Sequence, residues 1–403
     1  MKSRIKQTLR YLEYHILWPA VFRCASLRKP DPKTVLFADP YSRTLTDNMR
    51  PLFDALAQDG RVKLKTAFAE APAPGESGLQ KRLREERQHL KFLIKYATAG
   101  TLILTESYLP AYAVKRRKGQ EVFQLWHACG AFKKWGYSIL DNSFGASRKT
   151  MKQFPMHNCY TLVTVSSRDI IPAYADAFHC DPALIEPLGV PRTDVFFEPD
   201  FAARGKEALF QSYDGTHPGQ RPLKEQLGSR KILLYAPTFR GNNIVEAHFD
   251  TPLDLARLKA KFGNEYAFLY KLHPYAKDGF KVPDSCKDFA FNVTDCTAND
   301  ALAAADVLLT DYSSILFEYS LLDRPMVFYA YDLESYIDER NFYTPYEDLV
   351  PGPIAKTQDE LESALADPAA FGPDRLRDFR NTYMSACDGR ATERLVQRIL
   401  NRL

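Results

Sequence analysis

The sequence predicts an α/β protein built from two doubly wound parallel-sheet domains facing one another across a cleft. Three observations carry that expectation. Short apolar runs alternate with helical patterns through most of the chain. The length of 403 residues suits two or three domains at about 150 residues each. A polar stretch from Phe196 to Arg230, punctuated by Pro199, Gly205, Gly215, Pro218, Gly219, Pro222 and Gly228, divides two blocks of alternation.

The elements follow in order. Residues 1–30 form an arm in which Ile5, Leu9, Leu12 and Ile16 recur at helical spacing, with Lys2, Arg4, Lys6 and Arg10 flanking that face. Thr34–Ala38 reads as a strand, Asp47–Ala57 as a helix after a Thr46/Asp47 cap, and Arg61–Phe68 as a strand. Leu79–Tyr96 is a long charged helix, followed by strands at Thr101–Thr105, Val122–Trp126 and Thr161–Val165. After the divide, Lys231–Tyr235, Ala267–Leu272, Asp306–Thr310 and Pro325–Tyr329 are strands with helices between them, and the chain from Thr357 onward reads helical. The expected organisation is therefore an arm (1–30), a first domain (31–200), an inter-domain region (201–228), a second domain (229–375) and a helical tail (376–403).

Composition narrows the function. The chain is 45% hydrophobic and 26% charged, an ordinary globular balance, and no apolar run is long enough to span a bilayer as a helix. The net charge is +4, but seven basic residues against Glu13 give residues 1–30 a charge of +6 and leave the rest at −2. A near-neutral body argues against a nucleic-acid partner. The arm suits either an anionic membrane surface, contacted through residues 1–28, or packing on its own domain. Pro19, Glu13 and His15 fit a secretory signal poorly. Seven scattered cysteines without a C-x-x-C pair point to a reducing compartment and away from a disulfide framework or zinc site.

In open α/β sheets ligands bind outside the carboxyl ends of the strands, and four such places are chemically loaded. Trp126-His127-Ala128-Cys129-Gly130 ends one strand at an imidazole, suited to taking a proton from a hydroxyl. A core histidine bonded to a backbone carbonyl is the plainer account. Ala236-Pro237-Thr238-Phe239-Arg240-Gly241 offers a hydroxyl and a guanidinium fork suited to phosphate, or a surface salt bridge. Lys271-Leu272-His273-Pro274 puts two potential cations on one side of a strand end, or one solvated lysine and one buried histidine. Thr310-Asp311-Tyr312-Ser313-Ser314 leads into a helix whose start suits an anion, with Glu318 on the same face as Ser314 and suited to a ribose. Plain capping by the serines is the alternative.

Together these place acceptor chemistry in the first domain and nucleotide binding in the second. No G-x-x-x-x-G-K-[ST] or G-x-G-x-x-G motif occurs, which disfavours P-loop kinases and typical dehydrogenases. No metal site is evident and no cofactor is expected; Asp306 and Asp311 are more readily a strand end and a helix cap.

At these residues the chain resembles the CDP-glycerol:poly(glycerophosphate) glycerophosphotransferase family of wall teichoic acid synthesis. The resemblance rests on QLWHACGAFKKWG (124–136), GVPRTD (189–194), YAPTFRG (235–241), KLHP (271–274), TDYSSILFEY (310–319) and RPMVFY, DLESY, ERNFY and PGP within 324–353. It covers roughly residues 120–368.

The resemblance implies a GT-B-like fold and work at the cytoplasmic membrane face. It implies His127 as general base and His273, Arg240, Ser313 and Ser314 around the donor pyrophosphate; His127 and His273 are the expected catalytic pair, and Thr238 and Lys271, read from their strand ends, are expected to bind donor phosphate as well. Glu318 falls at the ribose, and Arg192 and Asp194 lie in a further family motif of open role. The implied donor is CDP-glycerol or a related CDP-polyol, and the implied acceptor a lipid-linked saccharide or polyol-phosphate chain. Ribitol in place of glycerol, and a nucleotide-sugar glycosyltransferase of the same architecture, are the rival readings. The family often has Trp-His-Gly-Thr-Pro where this chain has Trp126 to Gly130, so the polyol or acceptor is expected to differ. Larger family members carry N-terminal extensions absent here, which points to single transfer more than to elongation.

Overall fold

The run TVLFA lies within strand β1 (Asp31–Ala38), and its Val35, Leu36 and Phe37 are fully buried. Burying each such side chain contributes about 1.5–3 kcal/mol, and a strand apolar on both faces is what a helix-covered parallel sheet requires. In the computed structural model, which describes residues 2–142, 145–241, 248–273, 279–367 and 372–403, the chain divides into two units. One comprises Met1–Asp194 with Ser385–Leu403, the other Val195–Met384.

In the first unit β1 is joined by β2 (Lys63–Ala67), β3 (Ala99–Leu104), β4 (Glu121–Gln124), β5 (Leu162–Thr164) and β6 (Ile185–Glu186). All pairings are parallel, in the order β2-β1-β3-β4-β5-β6. The sheet grows one way to β2 and the other way from β3, so its topological switch point lies between β1 and β3.

The second unit holds β7 (Lys231–Ala236), β8 (Tyr266–Tyr270), β9 (Ala290–Asn292), β10 (Val307–Thr310), β11 (Met326–Tyr329) and β12 (Ile354–Ala355). They too are parallel, in the order β12-β11-β10-β7-β8-β9. The reversal here falls between β7 and β10. The expectation of two doubly wound sheets therefore holds. The edge strands β6, β9 and β12 were not expected; two or three residues carry no periodicity, and pairing with a neighbour is what makes them strands.

Three expectations are corrected. Residues 201–228, expected as an inter-domain region, belong to the second unit, where helix Phe201–Thr216 buries Phe201, Leu209, Phe210 and Tyr213. It lies so close to helix Ala298–Ala304 that a Cβ on Gly205 would stand 2.3 Å from that of Ala303. Residues 376–403 are not one tail. Helix Pro373–Tyr383 stacks Phe379 on Phe317 at 5.3 Å in the second unit, while helix Ala391–Leu400 buries Leu395 and Ile399 in the core of the first. The helix expected from Thr46/Asp47 starts later, at Arg50 with Pro51 in its first turn, because Thr46 is spent on a turn whose carbonyl receives the Met49 and Arg50 amides.

The arm is helical from Lys2 to Leu12 and from Trp18 to Ala25, with a wider π turn between them. Tyr14, Trp18 and Phe22, spaced four apart, face the body. Trp18 Nε1 donates to Glu86 at 2.8 Å and the Tyr14 hydroxyl to the Pro155 carbonyl at 2.6 Å. Leu9, Leu12 and Ile16 lie on the other side and are 37%, 43% and 58% exposed. Among the described residues, no helix is long and apolar enough to cross a membrane.

Candidate active site

In the first unit, the chain leaving β3 passes Thr105 and Glu106, and the chain leaving β4 passes Leu125, Trp126 and His127. Parallel pairing of Leu104 with Gln124 delivers both segments to the same edge. The His127 imidazole is about half exposed, and its Nδ1 lies 2.8 Å from Glu106 Oε1. Instead of a core histidine bonded to a carbonyl, His127 is an accessible one bonded to a carboxylate. Next to it, at the switch point, the buried Asp39 carboxylate accepts the Tyr41 and Ser42 amides at 2.8 and 2.7 Å and the Thr105 hydroxyl at 2.9 Å.

The backbone ahead of His127 is held from three sides. Trp126 sits at φ +57°, a left-handed conformation costing of order 1–3 kcal/mol in a bulky residue. Its amide donates to Gln124 Oε1 at 2.9 Å and its carbonyl accepts from Asn48 Nδ2 at 2.8 Å. Its indole packs against Phe178 and Trp135. The His127 carbonyl accepts from Arg192 Nη1 at 2.6 Å, and the Arg192 amide donates to Asn48 Oδ1 at 3.2 Å. Strain concentrated at Trp126 and held by surrounding bonds singles out this segment as a candidate site.

The motif whose role was open thus divides in two. Arg192 holds the His127 backbone. Asp194 receives the amides of Ala391 and Thr392 at 3.0 and 2.8 Å and so caps the C-terminal helix. Gly189, which begins the motif, has φ +84°, and a Cβ there would stand 2.4 Å from the Ala386 carbonyl oxygen.

In the second unit the expected residues gather at the carboxyl ends of β7, β8 and β10. The Thr238 amide donates to Asp311 at 2.8 Å, joining the loops after β7 and β10 across the switch point. The rings of Phe239 and His273 are 4.8 Å apart, which brings the exposed His273 to the same edge. The Thr238 hydroxyl is buried without a hydrogen-bond partner among the described residues. Such a group costs about 1–3 kcal/mol unless something satisfies it.

Ser313 and Ser314 precede the short helix Ile315–Ser320. Among the described residues Ser314 makes no side-chain capping bond and Ser313 only a 3.4 Å contact with the Ile315 amide, so plain capping does not account for them. Glu318 lies one turn on and is buried. Asp306 and Asp311 accept backbone amides, of Ile232 and of Thr238 and Tyr312.

Arg240 and Lys271 are placed differently from the expectation. Arg240 is partly buried, with Nε and Nη2 bidentate on Asp332 at 2.7 and 3.0 Å and Nη1 on Asp311 at 3.0 Å and the Thr238 carbonyl at 2.6 Å. Tyr312, Tyr331 and Tyr336 surround its guanidinium. Burial opposes the charge, but the two carboxylates outweigh it and keep the group protonated. Its donors are thus spent on shaping the loop. The Lys271 ammonium turns inward to the Thr294 and Cys296 carbonyls, and burial lowers its pKa. β8 ends at Tyr270, so strand alternation does not pair Lys271 with His273. Pro274 lies outside the described residues.

Glu106 and Asp332 were missed from sequence. Glu106 directly follows the run TLILT, where a search of strand ends points. Asp332 has no local signal; its role exists only because the chain brings it to Arg240.

These arrangements can be set beside known proteins. The sequence profile of the family described as CDP-Glycerol:Poly(glycerophosphate) glycerophosphotransferase matches residues 20–401. The chain belongs to that family. It is accordingly an enzyme, a phosphotransferase. It is 38% identical over 363 residues to the teichoic acid ribitol-phosphate primase of Bacillus spizizenii, covering 90% of this chain and 89% of that one. With the teichoic acid glycerol-phosphate primase of Bacillus subtilis it shares 27% identity over 342 residues, 84% of each. The wall teichoic acid polymerase TagF has the same GT-B-like fold, with a TM-score of 0.74 at 19% identity over 100% of this chain and 98% of that one.

Proposed function

We propose that the enzyme transfers a polyol phosphate from a CDP-activated polyol to a hydroxyl of a lipid-linked or polymeric teichoic acid acceptor, releasing CMP. The reading rests chiefly on the accessible His127 imidazole held at a sheet edge in a phosphotransferase of this family. The acceptor oxygen attacks the polyol-bearing phosphorus while His127 takes its proton. The new P–O bond forms as the bond to CMP breaks, and the electron pair leaves on the CMP phosphate. His273, Ser313, Ser314 and the unsatisfied Thr238 hydroxyl hold the diphosphate, Glu318 takes the ribose, and Arg240 and Lys271 keep their loops in shape.

The greater identity to the ribitol-phosphate primase favours ribitol over glycerol as the polyol. Its nearly full-length coverage favours priming over chain elongation. Leu9, Leu12 and Ile16, exposed on a basic helix, support peripheral attachment to the inner face of the cell membrane. The decisive assay offers CDP-ribitol, CDP-glycerol and nucleotide sugars with a lipid-linked acceptor and measures nucleotide release. CMP release from CDP-ribitol is expected; turnover of a nucleotide sugar alone would overturn the reading.

A further inference from the structure

We infer that Glu106 is the positioning carboxylate of His127, fixing the imidazole as the Nδ1–H tautomer so that Nε2 is the atom that accepts the acceptor-hydroxyl proton. The inference rests on the proposed role of His127 as base. It goes further in naming the reactive nitrogen and the residue that selects it.

The geometry is specific. Glu106 Oε1 is 2.8 Å from Nδ1, while Nε2 makes no hydrogen bond among the described residues. A neutral imidazole donates from one nitrogen and accepts at the other, so a carboxylate at Nδ1 claims the proton there and leaves the Nε2 lone pair available. A chance surface pair would have two mobile partners. Here one buried amide ties both: Gln124 Nε2 donates to the Glu106 carbonyl at 3.2 Å and its Oε1 accepts the Trp126 amide at 2.9 Å. Gln124 is itself fully buried and bonded to the Tyr160 hydroxyl at 2.9 Å. Arg192 holds the His127 carbonyl from the other side. The backbone of both partners is therefore held in place, and the Nδ1 contact orients the ring. During transfer the hydroxyl proton passes to Nε2, the resulting imidazolium is stabilised by Glu106, and it returns the proton to solvent after CMP departs.

The test uses the full chain labelled with 15N-histidine. His127 is assigned by the signal missing in His127→Asn, and its tautomer is read from two-bond proton–nitrogen correlations above the imidazole titration. Wild type is expected to show a protonated Nδ1 and a pyridine-like Nε2. Glu106→Ala is expected to shift the ring to the Nε2–H form and lower kcat about 100-fold with KM for the CDP-polyol unchanged. Glu106→Gln, which keeps an acceptor oxygen, is expected to recover part of both. An unchanged tautomer, or an unchanged kcat, in a folded Glu106→Ala protein overturns the inference; if that variant does not fold, Glu106→Gln gives the same two readings. The spectrum needs no donor, so a tautomer shift without CDP-polyol turnover would defeat the proposed reaction and leave the Glu106 assignment standing.

Discussion

The Asp194 carboxylate caps a helix that begins at Ala391, nearly two hundred residues later, receiving the Ala391 and Thr392 amides at 3.0 and 2.8 Å. Two amides at the first turn of helix Ala391–Leu400 are thereby satisfied, and that helix supplies Leu395 and Ile399 to the core of the first unit. Replacing Asp194 with Ala is expected to cost about 1–2 kcal/mol, seen as a lower midpoint in chemical denaturation. Asp194→Asn, which keeps one acceptor oxygen, should lose less. Equal losses in the two variants would count against capping.

Arg240 carries a sharper expectation. With Asp311 and Asp332 left facing one another, Arg240→Ala is expected to destabilise the second unit by about 3–5 kcal/mol. Arg240→Lys keeps the charge but not the fork that grips Asp332 with two bonds, so it should recover only part of the loss. Full recovery in a denaturation experiment would show that charge alone matters.

Thr238 separates ligand binding from folding. Its hydroxyl has no partner among the described residues, so Thr238→Val is expected to leave stability unchanged or slightly raised, since a buried unsatisfied group is removed. Affinity for the CDP-polyol should fall about tenfold, the worth of one hydrogen bond to a charged group. Calorimetric titration showing unaltered affinity would remove Thr238 from the donor site.

His157 predicts an acid limb of stability. Burial pushes its pKa from 6.5 to about 3, and its Nδ1 lies 2.8 Å from the Tyr160 hydroxyl. The unfolded chain therefore binds a proton near pH 6.5 that the folded chain refuses until about pH 3. Between those values the unfolded state holds more protons, so stability falls as pH falls, by several kcal/mol over the window. The slope against pH should flatten by up to one proton in His157→Asn; parallel slopes in the two proteins would contradict the assignment.

The arm is best tested by point substitution. Deleting it would also remove Tyr14, Trp18 and Phe22 from the body they pack against. Leu9→Ser with Leu12→Ser and Ile16→Ser leaves that face intact and should abolish co-sedimentation with vesicles containing anionic lipid. Wild-type binding should weaken as salt rises. Co-sedimentation undiminished by the triple substitution would place any membrane contact elsewhere.

Much of the site was legible because open α/β sheets present ligands at strand ends. Locating a strand such as VFQLW or DVLLT was enough to single out His127 or Ser313. The arm left two readings open: Tyr14, Trp18 and Phe22 pack inward on the body, while Leu9, Leu12 and Ile16 face outward and carry only the proposed membrane contact. Arg240 and Lys271 read as phosphate ligands because a local motif reports a side chain's chemistry and not its partners. The partners of Arg240 arrive from the loop after β10 and from Asp332, beyond β11.

Periodicity and punctuation alone determined two parallel sheets and the strand ends that carry the candidate site, because those depend on residues close together in the chain. Tertiary structure alone decided that Glu106 meets His127, that Asp332 occupies Arg240, and that Asp194 caps the last helix. Each of those bonds joins residues carried together by strand order, and hydrogen bonds formed across such separations leave no trace in local spacing.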